Sequence, residues 1–162
     1  TLGDARLALE CFRGTQALPG DGFTQVRRAM ERPQPRIALG LALRGLASSA
    51  IDISDGLLGD LGHILRRSGV GASVQVEAVP RSALLASMPL AVQSECTLAG
   101  GDDYELLFTA PAQQADAIQA AARQAGVAVT CIGVIEPATG LRLLGLQGEP
   151  LPNTFMSFDH FQ

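Results

Sequence analysis

The chain has 162 residues, is 47% hydrophobic and carries a formal net charge of −4 at pH 7, enough length and apolar content for one well-cored domain and too apolar for a disordered chain. The acidic balance excludes nucleic-acid binding through a broad basic surface. No apolar run reaches membrane-spanning length and Thr1 opens no signal peptide, so the expectation is a cytoplasmic protein with no membrane association.

Taken in order, Thr1-Leu2-Gly3-Asp4 reads as a loop entering a helix, with Asp4 as its cap and Leu7, Leu9, Cys11 and Phe12 among the apolar residues that follow. Residues 14–22 form a Gly/Pro-rich loop, and a short helix is predicted from Phe23 to Glu31. Pro33 and Pro35 break the chain before a helix around Ile37–Arg44. Ala50-Ile51-Asp52-Ile53 reads as a short buried strand. From Leu57 the apolar residues fall at Leu57, Leu58, Leu61, Ile64 and Leu65, one face of a helix that stops near Ser68-Gly69. Val74 and Val76 predict a half-buried strand, and Pro80-Arg81-Ser82 opens a short helix that stops before Pro89. Leu106–Thr109 reads as a strand, Gln113–Gln124 as a helix ended by Gly126, and Val127–Val134 and Leu141–Leu144 as further strands. Strands and helices interleave, but the strands are few. The predicted fold class is therefore α+β, a mostly antiparallel sheet layered with helices.

Two acidic segments carry the chemistry. The first, Ile51-Asp52-Ile53-Ser54-Asp55-Gly56, places Asp52, Ser54 and Asp55 at a strand-to-helix junction, where oxygen ligands can converge on a hard cation such as Mg²⁺ and helix-start N–H groups can meet a phosphate. The same residues admit a plainer reading: Ser54 or Asp55 as the helix cap, and Asp52 as a strand-end carboxylate paired with an arginine. An EF-hand is excluded, because Gly56 and His63 stand where its loop needs acidic ligands. The second segment, Gly100-Gly101-Asp102-Asp103-Tyr104-Glu105, is an ordinary turn if taken alone. Two acidic turns in one small domain are a more specific signal.

All twelve basic residues are arginine, which excludes a P-loop of the G-x-x-x-x-G-K-[ST] type and Schiff-base chemistry. No G-x-S-x-G elbow is present. Cys11, Cys96 and Cys131 form neither a disulfide framework nor a zinc cluster and are expected to be buried thiols. His63 is expected on the polar side of its helix. The tail, with Phe155, Phe158 and Phe161, reads as an aromatic segment that docks on the core or stacks on a flat ligand.

Asp52-Ile53-Ser54-Asp55-Gly56-Leu57, Gly100-Gly101-Asp102-Asp103-Tyr104-Glu105-Leu106 and Phe158-Asp159-His160-Phe161, with Arg32-Pro33-Gln34-Pro35-Arg36 and Ala47-Ser48-Ser49-Ala50, together resemble the bacterial thiamine-monophosphate kinase family. That family lies within the superfamily of aminoimidazole ribonucleotide synthetase and selenide water dikinase. The resemblance implies that residues 1–162 are a single C-terminal domain, that the N-terminal nucleotide-binding domain is absent from this chain, and that the chain alone is inactive. A further acidic, glycine-containing domain is expected to be encoded ahead of Thr1. The resemblance also implies a homodimeric enzyme that transfers the γ-phosphoryl group of ATP to thiamine monophosphate with Mg²⁺, giving thiamine diphosphate.

Carried over residue by residue, the resemblance makes Asp52 and Asp55 Mg²⁺ ligands and Ser54 a contact to the nucleotide phosphates. Asp102 stands where the family commonly has a glutamate that touches substrate, so its carboxylate reaches one methylene less. Phe158 would pack on the thiamine moiety, with Phe155 as the alternative ring. Two other readings remain open: another ATP-dependent synthetase or kinase of the superfamily, and a non-enzymatic ligand-binding domain.

Overall fold

The computed structural model describes residues 1–155. Among the described residues, helices and strands run in the order α1 (Asp4–Phe12), α2 (Gly22–Glu31), α3 (Ile37–Ala42), β1 (Ser49–Asp52), α4 (Leu57–Ser68), β2 (Gly71–Gln75), α5 (Ala83–Ala86), α6 (Leu90–Ser94), β3 (Leu106–Thr109), α7 (Ala115–Ala125), β4 (Gly133–Glu136), β5 (Gly140–Leu144) and β6 (Pro150–Leu151). Strands β1 and β3 pair antiparallel as a separate ribbon, Ser49 opposite Thr109 and Asp52 opposite Leu106. The other four form a sheet in the order β4-β2-β5-β6, in which β2 runs antiparallel to β4 and parallel to β5, and β6 runs antiparallel to β5. This is the expected mixture of helices with mostly antiparallel strands.

Helix α4 forms where its apolar spacing places it. Leu57, Leu58, Leu61, Ile64 and Leu65 are all buried, against Ile53, Ala72, Val74, Val76, Leu98, Leu107 and Leu143 in the main core. Arg66 and Arg67 lie in its last turn, where cations suit the carbonyl end of the helix, and Gly69 ends it in a left-handed conformation. A second cluster joins α1 and α2 to Leu85 and Cys96, and a third packs Leu39 and Leu43 against Ile118 of α7. No helix among the described residues is long and apolar enough to cross a membrane.

Several local expectations are corrected. Strand β2 is buried on both faces from Gly71 to Val74, because it is central, and Val76 begins a tight 3₁₀ turn beyond it rather than continuing the strand. Of the segment 127–134 only the end is strand: pairing with β2 starts at Gly133 opposite Val74, while Val127 and Val129 pack as irregular chain onto the third cluster. Helix α6 and the π-helical turn Glu95–Ala99 that continues it had no clear sequence periodicity; Thr97 bonds back to the Gln93 carbonyl at 2.9 Å there. Asp4 is the first helical residue rather than the cap, and its carboxylate accepts from the Ser82 hydroxyl at 2.6 Å. Among the cysteines only Cys96 is buried, its thiol pKa pushed up to about 12 by that burial; Cys11 is half-buried and Cys131 exposed on the irregular stretch before β4.

Leu57 is the first residue of α4 and is fully enclosed. Leu57→Ala is expected to cost about 2–5 kcal/mol, the range for a well-packed leucine. Urea or guanidinium unfolding of the chain measures it, and an unchanged midpoint would contradict the packing described.

Candidate active site

The antiparallel ribbon does not stop at the ends of β1 and β3. The Ile53 amide donates to the Glu105 carbonyl (2.9 Å), the Tyr104 amide to the Ile53 carbonyl (2.8 Å) and the Asp102 amide to the Ser54 carbonyl (2.9 Å). Backbone alone therefore lays the segment 52–55 alongside 102–105, and the two acidic turns become one surface. Glycines permit the approach: a Cβ at Gly101 would strike the Ser54 carbonyl, and one at Gly56 would lie 2.9 Å from the Ala99 carbonyl.

Asp52 and Asp102 are exposed; Ser54 and Asp55 are half-buried. Asp102 (φ 66°) and Tyr104 (φ 50°) both hold the left-handed backbone conformation without being glycine, a strain of about 1–3 kcal/mol at each position. Tyr104 is 41% exposed, and its hydroxyl donates to Asp102 Oδ1 at 3.3 Å. That phenol is held above its ordinary value by the Asp102 charge first, then by partial burial, and further by the Asp52 and Asp55 charges. The charges of three sequence-predicted acids from two turns thus bear on one phenol.

The plainer readings of the first turn do not hold. Gly56, rather than Ser54 or Asp55, is the N-cap of α4. Among the described residues no arginine pairs with Asp52. The nearby arginine, Arg36, is committed elsewhere: its guanidinium forks onto Glu105 at 2.8 and 2.7 Å. Burial alone would raise the Glu105 carboxyl, but the Arg36 hydrogen bonds and charge prevail and hold it below its ordinary value.

Two further acids were given no role by the sequence reading. Asp60, 2% exposed, accepts the Ser54 and Asp55 amides on Oδ2 at 3.0 and 3.1 Å. Burial raises its pKa although three backbone amides pull the other way. The Ser54 and Asp55 amides, which lie ahead of the start of α4, are satisfied internally. The signal was present: Asp60 is the one acid inside the apolar stripe of α4, between Leu57 and Leu61. The second is Asp103, whose two carboxylate oxygens lie 3.0 and 2.9 Å from the Gly3 amide.

A divalent ion fits this surface as a partial site. Among the described residues no group of three or more histidine, cysteine or acidic side chains converges to cage a metal. Mg²⁺ does not need one, since it commonly takes one or two carboxylates and completes its shell with water and substrate phosphates. A cleft of about 330 Å³ lies at the other end of the ribbon, lined by Ser48, Ser49, Ser68 and Thr109 among others, and none of its lining residues is acidic. Phe155 is half-buried against the main core, which suits docking rather than ligand stacking. Phe158 lies outside the described residues.

Comparison with known proteins gives a consistent picture. The family described as AIR synthase related protein, C-terminal domain, matches residues 9–145. The thiamine-monophosphate kinase of Haemophilus influenzae is 42% identical over 168 residues, covering 100% of this chain and 51% of that protein. The crystal structure of thiamine-monophosphate kinase from Stenotrophomonas maltophilia K279a superposes with a TM-score of 0.83 at 40% identity, covering 93% of this chain and 49% of that one. AaThiL complexed with AMPPCP and TMP gives 0.75 at 27% identity, covering 99% and 49%. The chain spans about half the length of the curated relatives it matches.

Asp103 generates a pH prediction. Burial pushes its carboxyl up to about 7, with the Asp4 and Glu105 charges adding and the Gly3 amide and the amino terminus opposing; the Cys96 thiol also lies within its field. A folded-state pKa above the unfolded one gives a stabilisation that is complete below the unfolded pKa and lost as pH rises through the folded value. Stability should therefore fall between about pH 4 and 7, by at most about 1.4 kcal/mol per pH unit. Asp103→Asn should flatten that slope in chemical denaturation across the range; an unchanged slope would contradict the assignment.

Proposed function

Because this chain belongs to the AIR synthase related protein C-terminal domain family, we propose that it is the C-terminal half of an ATP- and Mg²⁺-dependent kinase converting thiamine monophosphate to thiamine diphosphate. The observation that carries the reading is the backbone stitching of the two acidic turns, which sets Asp52 and Asp55 beside Asp102 and Tyr104. Relatives named thiamine-monophosphate kinase, and a related structure complexed with AMPPCP and TMP, support the choice of substrates.

In this reading Asp52 and Asp55 would hold Mg²⁺, which would neutralise phosphate charge at the reacting centre. The Ser54 hydroxyl contacts the nucleotide phosphates. Asp102 reaches toward the acceptor, and Phe158 packs on the thiamine ring system. The reaction makes a bond from a phosphate-monoester oxygen to the γ-phosphorus and breaks the bond from that phosphorus to the β,γ-bridging oxygen. A phosphate oxygen is already nucleophilic, so the surface needs no general base, and the chain's lack of lysine does not count against the reaction. The carboxylates and the Tyr104 ring also attract the cationic thiazolium.

The partial ligand set and the half-length coverage support a cleft whose second wall is the N-terminal nucleotide-binding half of the same enzyme. A homodimer in the cytoplasm belongs to this reading through the family resemblance. The test is a panel of phosphorylated acceptors offered to the whole enzyme with ATP and Mg²⁺. Thiamine monophosphate should be used selectively, and equal use of unrelated acceptors would reject the substrate. Asp55→Asn should lower kcat by about a hundredfold or more, the scale for losing one group that stabilises transition-state charge. Near-normal turnover across a Mg²⁺ titration would reject the metal role.

A further inference from the structure

We propose that Asp103 is a positioning residue, which latches the second acidic turn onto the Gly3 amide and so holds Asp102 and Tyr104 in the geometry that faces Asp52 and Asp55. Its meaning for phosphoryl transfer rests on the kinase reading above; the latch itself does not.

The turn alternates. Asp102 and Tyr104 point to solvent, while Asp103 and Glu105 point inward. Each inward acid is tied to a distant part of the chain: Glu105 to the Arg36 guanidinium, and Asp103 to the Gly3 amide, 100 residues away. The outward pair carries the strain, with φ of 66° at Asp102 and 50° at Tyr104. Non-glycine residues persist in that conformation only when their surroundings overdetermine them. On one side the Asp102 and Tyr104 amides are bonded to the Ser54 and Ile53 carbonyls. On the other side, between the two strained residues, the anchor is Asp103.

Stability does not explain an acid there. A carboxylate buried against Asp4 and Glu105 is costly to ionise, and a neutral side chain with an acceptor oxygen would serve the Gly3 amide without that cost. What the carboxylate supplies is an acceptor at a fixed place. Released from Gly3, the peptide units on both sides of Asp103 are free to leave the left-handed region, and the Tyr104 ring then swings away from Asp102.

The chain contains one tyrosine and no tryptophan, so its intrinsic fluorescence reports Tyr104 alone. The experiment compares wild type, Asp103→Asn and Asp103→Ala, each checked for native far-UV circular dichroism and cooperative unfolding. Asparagine keeps an oxygen for the Gly3 amide and should preserve both the emission of Tyr104 and its accessibility to acrylamide. Alanine should shift both, with a loss of the hydroxyl-to-Asp102 contact. A folded alanine variant with wild-type Tyr104 emission would overturn the proposal, as would an asparagine variant that behaves like alanine.

If the alanine variant does not fold, hydrogen exchange of the Gly3 amide in the wild-type chain decides. Protection is expected, and exchange at the rate of an unstructured peptide would overturn the latch. Neither measurement needs ATP or a thiamine compound. An enzyme that rejects thiamine monophosphate but shows the Tyr104 shift would reject the kinase reading and leave the latch standing.

Discussion

The surface formed by the two acidic turns depends on neutral backbone bonds holding together side chains that repel one another. Asp52, Asp55 and Asp102 all bear on the Tyr104 hydroxyl, and like charges at such range oppose any local attraction between the two segments. The ladder that runs from Ser49 and Thr109 to Ser54 and Asp102 supplies the attraction instead, because amide-to-carbonyl bonds are indifferent to side-chain charge. The ribbon is in turn fixed by burial: Ile53 and Leu107, on its inner side, lie in the same apolar cluster as the α4 face. Hydrophobic packing of α4 and the strand pairing thus precede the site, and the acids ride on them.

How much of this the sequence disclosed depends on how local the cause was. The apolar stripe of α4 and its stop at Gly69 were legible, since spacing and a terminal glycine decide them within a few residues. The two acidic turns were legible as turns, and family resemblance suggested that they meet. What joins them was not legible, because backbone pairing between Ser54 and Asp102 leaves no side-chain signature. The burial of both faces of β2 depends on which strands flank it. Its parallel partner β5 begins only at Gly140, so nothing near β2 in the chain announces that it is central. Cys131 is exposed because the chain before β4 is irregular, although its type is one of the commonest in protein interiors.

The acids around the turns divide by what they bond. Asp60 gives its carboxylate to the Ser54 and Asp55 amides, Asp103 to the Gly3 amide and Glu105 to the Arg36 fork; each is at least partly buried and each ties one segment of chain to another. Asp52 and Asp102 are exposed, no arginine among the described residues pairs with either, and Asp102 accepts from a neighbouring tyrosine in the same turn. Inward acids of this kind hold the scaffold's shape. Outward acids add repulsion without returning structure, so the fold alone does not account for them.

That division argues for a role in binding at Asp52 and Asp102 independently of any relative. A carboxylate that contributes little to folding, displayed at Asp102 on a strained backbone, is stabilised when a cation or a positively charged ligand arrives. Behind the loop, the Ser54 and Asp55 amides are already held by Asp60 and offer no donor to an incoming anion. The exposed carboxylates repel a phosphorylated ligand, and positive charge interposed between the two relieves that repulsion. The buried acid behind the loop and the exposed acids in front of it thus disfavour a lone anion from two directions.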